Sequence, residues 1–174
     1  PGPLMAKSSE LTVTVRGKAA HAAMAREGID SLSAGAQLML DMIRMEREMP
    51  GDVLRLLHFG MFRSGIAPNV VPAETAFEGT MRAFDTAVFE GMRENLHRLA
   101  RESERRHGVS VDIFVNEGYP AVINDAALYA RAREALLRNG IAFHEIPEPS
   151  MLGEDFSFYM ERAPGLMLRL GTGG

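Results

Sequence analysis

The order of the periodic segments between residues 9 and 115 constrains the fold of this chain most. Ser9–Arg16 alternates cleanly, with Leu11, Val13 and Val15 on one face, which is typical of a half-buried strand that Gly17 ends. An amphipathic helix follows, capped by Asp30 and running to about Met49. The chain therefore begins its regular structure with a strand followed by a helix.

Two further strands and a second helix follow in the next sixty or so positions. The pattern predicts strands over residues 53–62 and 75–84. Residues 64–72, which include one glycine and two prolines, are the predicted loop between the two strands. Asp85 caps the second helix, His107-Gly108 ends it, and residues 109–115 alternate as a fourth strand. The order predicts an α+β fold, a ferredoxin-like βαββαβ four-stranded antiparallel sheet with two helices on one face.

The character of the sequence changes after Gly118, so we predict one domain over 9–117 and a second, incomplete piece over 118–174. A helix over 126–138 is expected, capped by Asn124 or Asp125 and ended near Gly140. We also expect strands at 142–146 and 166–170 and a short helix at 154–162. These elements are too few for an independent doubly wound domain, and they suggest a partial α/β segment.

Composition excludes several classes of function. The formal net charge of −4 offers no basic surface for nucleic acid, and no apolar run reaches the length of a membrane span. The chain has no cysteine, so it can form neither a disulfide framework nor a thiolate metal site. A cytoplasmic location fits these features. No set of His, Asp and Glu residues has convincing ligand spacing, and we expect no metal site within this chain.

His21 is the first candidate functional residue. It lies in a run of small residues between the first strand and the first helix. An imidazole on such a corner can donate to a developing oxyanion or orient a carboxylate. The alternative is a surface histidine in a turn that small neighbours make tight.

Asn69 and Arg82 are the next candidates. Asn69 lies between Pro68 and Pro72 in a stiff loop, where its amide can hold a carboxylate or simply satisfy its own turn. Arg82, late on a strand, can clamp a substrate carboxylate, or it can pair with Glu78 or a neighbouring strand.

Glu154 and Asp155 form a third candidate after Gly153. Adjacent carboxylates on such a turn can support a metal site. The alternative is that Asp155 or Ser157 caps the helix that follows.

Several phrases, in their order and spacing, resemble the metal-dependent aminoacylase and carboxypeptidase family, and within it the amidohydrolases that include hippurate and auxin-conjugate hydrolases. The resemblance covers nearly the whole chain and is carried by the following segments: GKAAHAAM (17–24), GID (28–30), APNVVP (67–72), FEGTMRAF (77–84), MLGEDFS (151–157), PG (164–165) and LG (170–171). The sequence departs from the family pattern where Ala19-Ala20 replaces Gly-Gly, and where Ala25 and Ser31 replace residues that are often proline.

The resemblance implies a fragment of a two-domain, dimetal amidohydrolase or peptidase that cleaves the amide bond of N-acyl amino acids or related conjugates. Residues 9–117 would be its lid and dimerisation domain, and 118–174 the return into its catalytic domain. The enzyme would be a homodimer using two divalent ions (zinc, manganese or cobalt) whose ligands lie outside this chain, so this chain alone would be inactive.

The resemblance also implies roles for four residues. His21 would reach the active site of the partner subunit and stabilise the oxyanion, Asn69 and Arg82 would bind the substrate, and Glu154 would lie near the metals without binding them. From the residues alone, a different reading stays open: a non-catalytic ferredoxin-like module for dimerisation or for binding a small ligand.

Overall fold

The computed structural model describes residues 1–51 and 53–172, and the chain divides into two compact units. One unit is Ser9–Glu117, and the other combines Pro1–Ser8 with the segment from Gly118 onward. The strands are β1 (Gly2–Met5), β2 (Lys7–Arg16), β3 (Ala20–His21), β4 (Arg55–Ser64), β5 (Val70–Val71), β6 (Glu74–Ala83), β7 (Ser110–Val115) and β8 (Val122–Asn124). The helices are a 3-10 helix (Ala22–Glu27), α1 (Ser31–Glu48), α2 (Thr86–His107), α3 (Ala126–Arg138) and α4 (Ser157–Met160).

The Ser9–Glu117 unit is built on a four-stranded sheet in the order β4-β6-β2-β7. The β4–β6 and β2–β7 pairs are antiparallel. The mixed α/β class with antiparallel pairing is therefore confirmed. Both helices pack against this sheet and against each other. The buried core takes side chains from one face of the strands and from both helices: Leu11, Val13, Val15, Ala34, Leu38, Met42, Leu57, Phe77, Met81, Ala83, Phe89, Met92, Leu96 and Val109.

The predicted helix boundaries follow from local capping chemistry. The Asp30 carboxylate accepts the N–H groups of Leu32 and Ser33, and Asp85 caps α2 in the same way. Gly108 ends α2 with φ of 70°, a left-handed conformation that glycine adopts without a steric penalty. Both helices therefore begin and end within a residue or two of their expected positions.

Two strand predictions in this unit need correction. The strand expected at 53–62 runs instead over Arg55–Ser64, with a register shift between Phe59 and Met61 where it pairs with β6. The loop expected at 64–72 contains β5, which pairs with β3. A two-residue strand leaves no periodic signal in a sequence, and only its partner defines it.

The second unit has a short sheet in which β1 pairs antiparallel with β8. Leu4, Met5 and Val122 form its buried cluster. The helix expected at 126–138 is confirmed, and of the two candidate caps it is Asp125 that accepts the N–H of Leu128. The strands predicted at 142–146 and 166–170 are wrong, since neither segment pairs with another strand. The helix predicted at 154–162 is regular only over Ser157–Met160.

Candidate functional site

The structure brings His21 and Asn69 together. In the ribbon of β3 and β5, His21 pairs with Val70 and Ala20 with Val71. The N–H of Ala22 then donates to the carbonyl of Asn69 at 2.9 Å. Two residues that the sequence singled out separately thus lie at adjoining positions of one ribbon, and both side chains are exposed.

Two glycines allow the chain to fold tightly around this ribbon. Lys18 and Ile29 exchange backbone hydrogen bonds of 2.9 Å in both directions. A Cβ on Gly17 would meet the carbonyl oxygen of Ile29, and a Cβ on Gly28 would lie 2.9 Å from the carbonyl oxygen of Lys18. Any larger residue at either position would therefore push the strands of this corner apart.

The start of α1 anchors the ribbon to the body of the unit. The buried Ser31 hydroxyl donates to the carbonyl of Pro72 at 2.9 Å, and the Ser31 N–H donates to the same oxygen at 3.3 Å. The N–H of Gly17 donates to the carbonyl of Ala73 at 2.8 Å. A proline at position 31, as the resembling family often has, would lack the N–H that makes one of these bonds.

The His21 ring has a defined hydrogen bond although it is exposed. Its Nδ1 atom accepts the backbone N–H of Ala23 at 3.2 Å, so the side chain caps the 3-10 helix that follows. Among the described residues, positive φ occurs only at glycines. Ala19 and Ala20 therefore fit the turn before His21 without the strain that a left-handed alanine would carry.

Arg82 lies at a different end of the sheet. It sits on β6 opposite Leu56, half-buried, and its Nε donates to the Thr80 hydroxyl at 3.4 Å. Because a strand rises about 3.3 Å per residue, Arg82 lies roughly 23 Å along β6 from Thr75, the end at which the ribbon attaches. Arg82 therefore lies far along β6 from the point at which the His21–Asn69 ribbon attaches.

Two charged residues near the ribbon, Arg16 and Asp30, have defined partners. Arg16 lies 2.8 Å from Asp112 and 3.4 Å from Glu74, and its hydrogen bond to Asp112 raises the pKa of its guanidinium. Burial raises the pKa of Asp30, but hydrogen bonds from Ser33 and Leu32 outweigh it, so that this pKa lies below its usual value. Asp30 is therefore held as a carboxylate that caps α1.

Glu154, in the second unit, closes its own turn. Its carboxylate accepts the N–H of Phe156 at 3.4 Å, and its carbonyl accepts the Ser157 hydroxyl at 2.6 Å. The alternative that Asp155 or Ser157 caps α4 is wrong, because Phe156 is the cap residue and has no capping side-chain bond. Gly153 is needed here because a Cβ would lie 2.9 Å from that of Ser8.

Nothing in residues 1–51 and 53–172 brings three or more His, Asp or Glu side chains into a group able to hold a metal ion. Over the same residues, no helix combines the length and the apolar character needed to cross a membrane. The functional features that the sequence reading missed are backbone groups, chiefly the Ala23 N–H and the β3–β5 pairing. The run of small residues around His21, with Gly17 before it, was the sequence signal that pointed to this tight corner.

Comparison with known proteins identifies the family. A profile of peptidase family M20/M25/M40 matches residues 7–174. N-acetyl-L-cysteine deacetylase of Bacillus subtilis is 29% identical over 174 residues, which cover 99% of this chain and 42% of that protein. The chain thus spans less than half the length of the relatives it matches.

Solved structures agree on the fold. A dinuclear metal-binding peptidase of the M20 family from Bacillus subtilis superposes with a TM-score of 0.78 and 25% identity, covering 95% of this chain and 41% of that one. Aminobenzoyl-glutamate utilization protein from Klebsiella pneumoniae gives a TM-score of 0.74 at 21% identity, over 92% of this chain and 41% of its own. The resemblance drawn from the sequence phrases is confirmed at the level of the family.

Proposed function

The chain belongs to peptidase family M20/M25/M40, and we propose that it is part of a metal-dependent amidohydrolase that cleaves the amide bond of N-acyl amino acids or related conjugates. A relative that is an N-acetyl-L-cysteine deacetylase supports this substrate class. In this proposal residues 9–117 are the lid and dimerisation domain, and 118–174 belong to the catalytic domain of a longer protein.

The architecture of the Ser9–Glu117 unit supports a ferredoxin-like lid. Its first strand, β2, lies inside the sheet between β6 and β7, and α1 and α2 pack on the sheet in the strand-helix-strand-strand-helix-strand order. The strands β4 and β7 lie at the two edges, where backbone groups are available to a second copy. A homodimer built on such a sheet is part of the proposal.

The observation that carries the proposed role of His21 is its position on the exposed ribbon beside Asn69. An N–H donor placed where negative charge develops stabilises the transition state of acyl transfer by about 3 kcal/mol. The side-chain amide of Asn69 adds a second polar group at the same end of the ribbon. Together they form a small, rigidly held polar tip suited to the reacting amide of a substrate.

The position of Arg82 supports a division of labour between two subunits. A small N-acyl amino acid cannot bridge the roughly 23 Å that separates Arg82 from the ribbon end of β6. We infer that the His21–Asn69 tip of one subunit serves the reaction centre of its partner, whereas Arg82 binds the substrate carboxylate in the centre of its own subunit. Each centre would then be complete only in the dimer.

The metals that the family uses do not fit the described residues of this chain, because these residues provide no grouped set of ligands. We propose that the ligands belong to the remaining part of the protein. Glu154, whose carboxylate is engaged by the Phe156 N–H, is proposed to lie near that centre as a supporting group.

His21→Ala in the full-length enzyme tests the proposed catalytic role. We expect kcat to fall roughly a hundredfold or more, in line with the loss of one oxyanion donor, with the dimer retained in light scattering. His97→Ala, which removes an exposed histidine from α2, is the matched control and should leave kcat unchanged. Near-normal turnover of His21→Ala would contradict the role and favour a non-catalytic module.

A heterodimer tests the division between subunits. One subunit carries His21→Ala and the other Arg82→Ala, each with its own affinity tag, so that the mixed dimer can be purified. If His21 and Arg82 of one subunit serve different reaction centres, both mutations fall in the same centre. The other centre then keeps an intact His21 and an intact Arg82, and the mixed dimer should have about half the wild-type activity. If His21 and Arg82 of one subunit serve the same reaction centre, each of the two centres lacks one of the two side chains, and the mixed dimer should be inactive.

A further inference from the structure

The hydrogen bond between the Ala23 N–H and Nδ1 of His21 determines more than the position of the ring. A backbone N–H can only donate, so Nδ1 must present its lone pair at 3.2 Å. A neutral imidazole carries a single ring proton, on one nitrogen or on the other. When Nδ1 accepts, that proton is on Nε2.

We infer that the backbone N–H of Ala23 is a positioning group that holds His21 in the tautomer with its proton on Nε2, leaving a hydrogen-bond donor on the exposed side of the ribbon.

The local structure explains why this N–H is available. Ala23 lies in the first turn of the 3-10 helix that begins at Ala22, where backbone N–H groups have no acceptor within the helix. Ala22 is satisfied from outside by the Asn69 carbonyl at 2.9 Å. His21 then supplies the acceptor for Ala23, in the place where serine or aspartate more often caps a helix.

The same bond restricts how the ring can move. His21 has an extended backbone, with φ of −66° and ψ of 142°, and is fixed on both sides by the pairing with Val70 and by the Ala22 bond. A ring bonded through Nδ1 cannot rotate freely about its first side-chain torsion. Nε2, at the far end of the ring, is then directed consistently away from the helix that Nδ1 caps.

This tautomer matters for the reaction, and that consequence rests on the proposed function. A neutral ring with a proton on Nε2 can donate to an oxyanion without first gaining a second proton. The other tautomer would offer a lone pair to the oxyanion and would repel it. Ala23 would thus act through His21, although its own side chain does nothing in the reaction.

Nitrogen-15 spectra of the 174-residue chain labelled at histidine test the tautomer directly, at a pH where the rings are neutral. His21→Gln identifies the signals of His21. We expect Nδ1 of His21 to resonate as an unprotonated ring nitrogen and Nε2 as a protonated one. The exposed His97, which serves as the internal reference, should show the averaged shifts of two exchanging tautomers.

Two variants at position 23 distinguish the effect of the backbone N–H from the effect of the alanine side chain. Ala23→Pro removes the donor, and proline is tolerated in the first turn of a helix; Ala23→Gly keeps the donor. We expect the His21 shifts of Ala23→Pro to move toward those of His97, and those of Ala23→Gly to stay as in the wild type. Averaged His21 shifts in the wild-type chain would overturn the inference, whatever the variants do.

Activity distinguishes this inference from the proposed function. In the full-length enzyme, Ala23→Pro should lower kcat less than His21→Ala does, with KM unchanged, and Ala23→Gly should be active. If the spectra show the fixed tautomer but His21→Ala turns over normally, the proposed function fails and the tautomer stands. If His21→Ala is inactive but the wild-type His21 shifts are averaged, the inference about the tautomer fails and the proposed catalytic role of His21 stands.

Discussion

Arg55 is the residue whose loss should most disturb the end of the sheet that carries Arg82. Its side chain is 6% exposed although it begins an edge strand. The guanidinium donates to the carbonyls of Glu46 at 2.8 Å and Met49 at 2.7 Å, in the last turn of α1 and at its cap, and to those of Pro50 and Val53 just beyond. One side chain therefore bonds carbonyls at the end of α1 and just beyond it, and ties α1 to β4. The Glu46 carbonyl also accepts the Met49 N–H at 3.3 Å, so Arg55 adds a second bond there.

Arg55→Met keeps much of the apolar stem and removes all of these bonds. A buried carbonyl left without a partner costs about 1–3 kcal/mol, and hydrogen bonds from a charged group lie at the upper end of the usual range. The Glu46 carbonyl keeps the Met49 N–H, and water can replace the exposed bond to Pro50. The partly buried bonds to the carbonyls of Met49 and Val53 therefore account for most of the loss. Two such losses, discounted for relaxation, give about 3 kcal/mol. Nε adds little, since it lies 3.5 Å from Glu46 without a hydrogen bond.

Urea unfolding and thermal unfolding of the 174-residue chain, both followed by circular dichroism, measure the loss of stability. At roughly 4 °C per kcal/mol for a unit of this size, the thermal midpoint should fall by about 12 °C. Arg63→Ala is the control on the same strand: its side chain is 69% exposed and pairs with Glu78, so less than about 1 kcal/mol should be lost. Arg55→Met with wild-type stability would refute the reasoning, and Arg55→Lys with wild-type stability would show that the forked geometry is irrelevant.

Asp30→Ala removes the cap of α1 and should lower the free energy of unfolding by about 1 kcal/mol at neutral pH. Because folding lowers the pKa of Asp30, this stabilisation is present at a pH above the ordinary pKa of 3.8 and is lost as the pH falls through the folded-state pKa. The free energies of unfolding of wild type and variant should therefore converge in acid. Gly17→Ala brings a Cβ against the carbonyl of Ile29 and should cost about 1–3 kcal/mol and displace the His21 ribbon, seen as changed His21 amide shifts. Gly51→Ala, where a Cβ meets nothing within 4 Å, should have neither effect; equal behaviour of the two glycine variants would contradict the crowding at Gly17.

The parts of the fold that the sequence predicted well are those that local physics determines. The alternation of apolar and polar residues along β2 determines which face of the strand is buried. Asp30 and Asp85 mark the starts of helices because their carboxylates accept the N–H groups two and three residues further on. Such interactions span a few residues and are therefore visible as spacing. The same reasoning identified α3 and its termination.

The errors came from segments whose structure depends on a distant partner. Residues 142–146 and 166–170 are apolar enough for strands, but a strand exists only beside another one, and the described part of the chain pairs neither of them. The converse error is β1, which is too short to show a period and is a strand because β8 lies beside it. For the same reason, spacing could not predict that His21 and Asn69 adjoin. The phrases around them pointed to a family and to roles, whereas only the β3–β5 pairing gives them a common location.

A two-residue ribbon is not stable alone, and this fact connects the core of the Ser9–Glu117 unit to the tip that bears His21. The ribbon is held by Gly17 and Ser31, whose backbone and side-chain bonds reach Ala73 and Pro72 at the start of β6. Ser31 also lies 3.1 Å from the buried Thr75 hydroxyl, so the anchor continues into the core. Changes deep in the core should therefore alter the unfolding of the whole unit and the His21 shifts together. Changes in β3 and β5 themselves, unlike changes at the Gly17 anchor, should move the His21 shifts alone, because no residue of these two strands belongs to the buried core cluster.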